Sequence, residues 1–378
     1  QMRLLGESVY TRYLEILGEE AELPEDGYEG EYIRDIAQEI FSDHNDSLKD
    51  DGENLIFKEK AEETIFAHIR KTLGNVGIEM DSYVNEKTFY DDGSIDSVVA
   101  DLREQGLAYD ADGAVWFKTT KLGKDQDTVL IKSSGEPTYR LPDIAYHCQK
   151  VKRGFDLIVD IFGTDHQATY PDVLAGVEKL GNKIDHIRVL IHQFVTLKSA
   201  GEKVKMSTRK AEYVTLQELI ESVGVDVVRY FFIMRGMQSH LNFDLELATK
   251  ESEENPVYYL QYAHARICNI IKFGKEAGVI SDHKLDLSLL VELSELRLIK
   301  EIIRFPEVAQ SALEILEPQI IANYLQEVAT SFHKFYTECR VITDDAELTT
   351  ARLALVSATR VVLANGLTIL GISRPERM

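Results

Sequence analysis

The sequence is short of cysteine and of cations, and it has no long uninterrupted apolar run. Its three cysteines, Cys148, Cys268 and Cys339, are odd in number, far apart and without CxxC spacing. That argues against a disulfide framework or a cysteine zinc site and fits a reducing, cytoplasmic setting. Each reads as a small buried thiol rather than a nucleophile. No continuous apolar stretch approaches the ~20 residues that span a bilayer, and no signal-peptide pattern, internal repeat or low-complexity segment is present. Lys and Arg number 42 against 64 Asp and Glu, a formal net charge of −22, which at first sight argues against a polyanionic partner. The deficit is uneven. Residues 257–378 carry 13 cations and 15 anions, while residues 1–256 carry 29 and 49. The acidic part suits a cationic small substrate or simply solubility, and the near-neutral tail is the better surface for a polyanion.

What remains is an ordinary globular composition, 44% hydrophobic and 28% charged over 378 residues, enough for two or three domains with real cores. Periodicity predicts helices over 2–17, 31–47, 57–73 and 94–105, with Phe57, Ala61, Ile65, Ile69 and Leu73 at fours on the third. The period then shortens. Residues 114–117 and 128–132 read as strands around a charged hairpin, and a helix begins at Pro142. The apolar run 156–162 reads as a strand of a parallel sheet buried on both faces, broken at Gly163, followed by a helix to 180 and a strand over 187–197. Strand, turn, helix, strand is a βαβ unit, half of a doubly wound nucleotide-binding domain whose ligands sit at the carboxyl ends of strands. After Val214 the pattern is all-helical, and the polar stretch ending at Pro256 marks the boundary. The expected division is an incomplete Rossmann-type domain over 1–250 and a helical domain over 255–378. Gln1 falls inside a helical pattern, so a preceding element is expected.

Five constellations could carry chemistry. The loop Lys205-Met206-Ser207-Thr208-Arg209 follows a hairpin-like stretch and precedes a capped helix. Two cations flanking hydroxyls suit a triphosphate, although such a loop is more commonly a solvated turn. Tyr139 and Asp143 stand four apart at a helix start. A carboxylate beside a phenol receives a guanidinium well, and the bland alternative is a first-turn aspartate favoured by the helix dipole. Gly163, Asp165, His166 and Gln167 form a turn after the buried strand, suited to ribose hydroxyls or an amine, or merely a capped turn. His192 and Val195 end the next strand and could supply ring and backbone contacts to adenine, although a half-buried histidine satisfied by packing is the commoner case. Tyr258, Tyr262 and Arg266 recur at fours on one helix face with Gln261 beside them. That face suits stacking on unpaired bases, though an aromatic stripe is more commonly core.

In this order and spacing the pieces resemble the arginyl-tRNA synthetases, class I aminoacyl-tRNA synthetases, over essentially the whole chain. The loop at 205–209 resembles the class I signature loop that closes over ATP, and 135–147 resembles the arginine-binding segment. The turn at 163–167 is similar to the family's second-half ATP and amino-acid turn. The helix at 259–266 resembles the opening of the anticodon-binding domain, and 364–378 is similar to the family's C-terminus. The resemblance implies a partial class I Rossmann-type catalytic domain with a helical insertion, followed by a helical anticodon-binding bundle. It also implies arginine at Tyr139, Asp143, Asp165 and Gln167, and ATP at Gly163, His166, His192, Val195 and Met206. Catalytic charge would come from Lys205, Ser207 and Arg209, and tRNA-Arg would be held at Tyr258, Gln261, Tyr262 and Arg266. Mg2+ is expected with ATP and no structural metal; the expected protein is a monomer without a membrane partner. Two departures stand out. An HxGH-type histidine motif is absent from the sequence, and Thr208 replaces the loop's usual second lysine. The expectation is therefore a chain that binds RNA weakly and does not catalyse alone. The rivals are a non-catalytic RNA-binding scaffold and another adenylyl-transferring Rossmann enzyme; the tyrosine-rich helix and the tail disfavour the second.

Overall fold

The computed structural model describes residues 2–199, 201–203, 214–276 and 285–378. Three helices open the chain: α1 (Met2–Ile16), α2 (Glu31–His44) and α3 (Leu55–Asn75). Their apolar faces meet in one core of Leu5, Val9, Tyr13, Ile33, Ile36, Ile40, Phe57 and Ala61. Tyr13 meets Phe57 edge-on at 5.3 Å, a geometry aromatic pairs favour. The Asn54 side chain caps α3 by accepting from Ile56 N–H at 3.1 Å.

Next come α4 (Lys87–Asp91), α5 (Ser94–Glu104) and the strands β1 (Ala108–Ala111), β2 (Ala114–Phe117) and β3 (Thr128–Ile131). The three strands form an antiparallel sheet in that order. Strand β1, which periodicity did not single out, is joined to β2 by Asp112-Gly113, both at positive φ (52° and 73°), as a tight hairpin requires. The helix α6 (Arg140–Lys152) starts two residues before Pro142. Proline still fits because first-turn N–H groups have no intrahelical partner.

The βαβ unit follows: β4 (Ile158–Gly163), a 3-10 turn at Thr164–His166, α7 (Tyr170–Lys179) and β5 (Ile187–His192). The strands are parallel over six residue pairs. The single strand expected over 187–197 is two: β6 (Val195–Ser199) restarts after Gln193-Phe194 and turns back through β7 (Glu202–Lys203). Nor is β4 buried on both faces. Ile158 and Asp160 are buried, while Val159 and Ile161 are 38% and 67% exposed, because α6 covers the Asp160 face through His147 and, among the described residues, β4 pairs with β5 alone.

Then come α8 (Leu216–Val223), α9 (Val225–Ile233), β8 (Leu241–Asp244) and α10 (Leu245–Thr249), with β7, β6 and β8 in one sheet. The strand β8 interrupts the expected all-helical stretch. The capping box of α8 is complete: Thr215 Oγ1 accepts from Glu218 N–H at 3.0 Å, and Glu218 accepts from Thr215 N–H at 2.7 Å. The chain ends in α11 (Pro256–Glu276), α12 (Leu293–Ile303), α13 (Phe305–Ile315), α14 (Gln319–Glu338) and α15 (Ala346–Ile369). Length and composition alone would let α15 cross a bilayer, although no continuous apolar run stands out in the sequence. Here Ala351, Leu355, Leu363 and Leu367 are buried, and Arg352 Nε on the same helix donates to the wholly buried Glu295 at 2.7 Å.

The chain divides into two compact units, Met80–Val195 with Met237–Leu241, and Gln1–Glu79 with Thr196–Gly236 and Asn242–Met378. The first is built on Leu102, Phe117, Leu130, Leu141, Ile144, Val173 and Val177. In the second, α9 ties several segments together. Arg229 donates to the carbonyls of Val76 and Leu370, at the ends of α3 and α15, where cations complement the helix dipole. Asp226 accepts from Ser373 N–H at 2.9 Å and from the Gln261 amide at 2.8 Å.

Candidate functional site

The parallel ladder ends with Gly163 opposite His192. That register sets the turn 163–167 and the segment 192–195 side by side at the carboxyl edge of the sheet, where ligands of such folds bind. Gly163 is extended (φ −75°, ψ 168°) and exposed. A Cβ there would sit 2.6 Å from Asp165 Oδ1, so a larger residue would require that exposed carboxylate to turn away from the strand end. Asp165 and Gln167 are exposed, and His166 stacks on Phe162 with centroids 5.0 Å apart and planes 15° apart. His192 Nδ1 donates to the Gln193 carbonyl at 2.7 Å. Val195 is half-buried.

Tyr139 precedes α6 and is 75% exposed, and Asp143 sits half-buried in the first turn. Among the described residues the Asp143 carboxylate makes no side-chain hydrogen bond or ion pair. Burial pushes its pKa above the ordinary carboxylate value; His147 and His166 oppose the shift, and Glu86 adds to it. One turn on, His147 Nδ1 lies 2.7 Å from the Asp143 carbonyl and Nε2 lies 3.0 Å from Asp160 Oδ2. Lys150 pairs with the other Asp160 oxygen. Burial alone would raise Asp160, but the hydrogen bonds from His147 and Lys150 outweigh it and hold the group below its ordinary value. A second cluster centres on Asp172, whose side chain is 1% exposed. Arg140 Nε donates to its Oδ2 at 2.9 Å, Lys124 pairs with its other oxygen, and Lys124 also donates to the Ala168 carbonyl at 3.2 Å. Neither cluster was singled out from the sequence. An aspartate at position 160, inside an apolar strand, was the one local signal.

On α11 the stripe is two-sided. Val257, Leu260, Ala263, His264 and Ile267 are buried, while Tyr258, Tyr262 and Arg266 are half-buried. Tyr258 and Tyr262 stack with centroids 6.3 Å apart and planes 7° apart, and His333 of α14 continues the stack at 6.0 Å. Arg266 lies 4.4 Å over the Tyr336 ring and donates to Tyr262 Oη at 3.0 Å. Beyond it opens a cavity of about 530 Å³ lined by Arg266, Asn269, Phe273, Tyr336 and Arg340. Gln261 spends its amide donor on Asp226 and Ser373, and His264 Nδ1 meets the Pro375 carbonyl at 2.9 Å. The contributions of His333 and Tyr336 came from a distant helix and were not legible locally. Lys205, Met206, Ser207 and Arg209 lie outside the described residues.

Comparison with known proteins defines the class first. Residues 27–228 match the family "tRNA synthetases class I (R), catalytic domain", and residues 260–378 match the "DALR anticodon binding domain". The architecture is that of a class I aminoacyl-tRNA synthetase. An arginine–tRNA ligase of Desulfotalea psychrophila is 52% identical over 381 residues, covering 100% of this chain and 69% of that protein. A Campylobacter jejuni structure assigned as an arginyl-tRNA synthetase is 31% identical with a TM-score of 0.89, covering 100% of this chain and 82% of that one. Thermus thermophilus arginyl-tRNA synthetase, at 20% identity and a TM-score of 0.73, covers 98% and 74% and shares the fold. The chain belongs to the arginyl-tRNA synthetase family.

Proposed function

We propose that these residues serve the ATP-dependent activation of L-arginine to arginyl-adenylate and its transfer to the 3′ end of tRNA-Arg. The observation that carries this reading is Asp143: among the described residues, a half-buried carboxylate without a side-chain partner, four positions after the exposed phenol of Tyr139. Leaving such a group unpaired is costly, and a guanidinium answers it with two N–H donors. Tyr139 would cover the flat face of the guanidinium, and Asp165 and Gln167 at the sheet edge would take the substrate's ammonium. Gly163, His166, His192, Val195 and Met206 would receive ATP, with an exposed glycine at 163 and the His192 ring at the strand end. Lys205, Ser207 and Arg209 would stabilise charge on the phosphates. Mg2+ would arrive with ATP and neutralise its phosphates. The protein's part is to orient the arginine carboxylate toward the α-phosphate and to exclude water.

On this reading residues 1–250 are the catalytic part and 255–378 the anticodon-binding part. The stacked Tyr258, Tyr262 and His333 and the cation Arg266 suit unpaired bases, with Gln261 holding the helix to the C-terminal tail. The sequence contains no HxGH motif, so this segment alone would bind without catalysing. The test is calorimetric titration of Asp143→Asn and the unaltered protein with arginine and with ATP. A loss of arginine affinity of about 10- to 100-fold with ATP unchanged supports the reading; equal loss of both ligands overturns it.

A further inference from the structure

Resting on that reading, we propose that Asp172 is a positioning residue that keeps the chain's own Arg140 guanidinium out of the pocket meant for the arginine substrate. Arg140 opens α6 and Asp143 lies three positions later. Residues at that spacing are neighbours on a helix surface, and an arginine there can reach the carboxylate. The helix therefore carries an internal copy of the substrate's functional group beside the receptor for it. Arg140 Nε is turned to Asp172 Oδ2 at 2.9 Å, and that carboxylate is almost wholly withdrawn from solvent. Lys124 occupies its other oxygen and anchors to the Ala168 carbonyl. The cluster thus joins the β2–β3 connection to α6, at whose start stand Tyr139 and Asp143, and to the segment just after Gln167. A buried carboxylate with two cations is a stronger partner for Arg140 than the half-exposed Asp143, so the receptor stays free. With the Asp172 charge removed, the order reverses. An internal pair occupied about nine-tenths of the time lowers apparent affinity for free arginine about 10-fold.

The experiment is arginine-dependent ATP–pyrophosphate exchange with tRNA, on the full-length gene product. Asp172→Asn is expected to raise KM for arginine about 10-fold with kcat and the KM for ATP nearly unchanged. Arg140→Gln alone should behave as the unaltered enzyme. Adding Arg140→Gln to Asp172→Asn should restore KM, a rescue that a purely structural role for Asp172 cannot give. A double variant no better than Asp172→Asn overturns the proposal, as does an unchanged KM in Asp172→Asn. If Asp172→Asn does not fold, Asp172→Ser removes the charge with a smaller polar side chain. A raised arginine KM relieved by Arg140→Gln then supports the proposal, and an unaltered KM overturns it. Asp143→Asn in the same assay separates the two failures. If it leaves the arginine KM unchanged, the reading of Asp143 itself falls; if it raises KM but rescue fails, only the role of Asp172 falls.

Discussion

Gly163 and His192 face each other on the last rung of the β4–β5 ladder. From this one register follows the neighbourhood of two segments 29 positions apart in sequence: a glycine turn carrying Asp165 and Gln167, and a strand end carrying His192, whose Nδ1 is held by the Gln193 carbonyl. A slip of one residue would turn every side chain of β5 to the opposite face. The site therefore depends on a ladder whose register is fixed by the burial of Ile158 and Ile187 at its far end.

Asp143 should trade stability for binding. Its folded pKa is raised, so its contribution to stability is fully present below the unfolded value and is lost as pH rises through the folded one. At neutral pH Asp143→Asn is expected to melt roughly 1–2 °C higher than the unaltered chain, with the gain vanishing near pH 3. Arginine affinity of the unaltered chain should fall already above the ordinary carboxylate range as the pH is lowered. Thermal melts and titrations across pH check both signs.

Asp160 should behave in the opposite sense. Its folded pKa is depressed, so its stability is present above the unfolded value and lost as pH falls through the folded one. Asp160→Asn leaves Lys150 and His147 facing a neutral group and should cost about 2–4 kcal/mol at pH 7. The difference should shrink in acid. Urea denaturation at several pH values measures it.

The buried pair of Arg352 and Glu295 supports the C-terminal bundle. Glu295 is wholly buried and Arg352 nearly so. Arg352→Met strands the carboxylate and should cost about 3–5 kcal/mol, while Arg352→Met with Glu295→Met should recover most of it. A double-mutant cycle in chemical denaturation gives the coupling directly.

Tyr258→Ala should weaken tRNA binding about 5- to 50-fold, the scale of one lost stacking platform, and leave ATP binding unaltered. A filter-binding series reads this. Unchanged tRNA affinity would return the half-buried face of α11 to simple packing.

The βαβ unit, the capping box at Thr215 and the helical C-terminal part were legible because each follows from local periodicity or local hydrogen bonding. Strand β1 was missed because Ala-Tyr-Asp-Ala lacks the β-branched and aromatic run that marks β2 and β3, and β8 because it interrupts a helical stretch for four residues. At the site the candidate residues were legible as types at a spacing. Their supports were not. Asp172 is 32 positions from Arg140, and His333 is 71 from Tyr262, so only the fold brings them together. The exposure of Ile161 was misread for the same reason: the strand composition is that of a buried sheet, while its neighbours decide which face is covered.

The most direct test of the account is ATP–pyrophosphate exchange by the full-length gene product with tRNA present, comparing arginine with citrulline, its uncharged near-isostere. If Asp143 is a guanidinium receptor, arginine should support exchange at least about 10³-fold better in kcat/KM, and Asp143→Asn should erase most of that preference. Comparable exchange with both amino acids, or none with arginine, would contradict it.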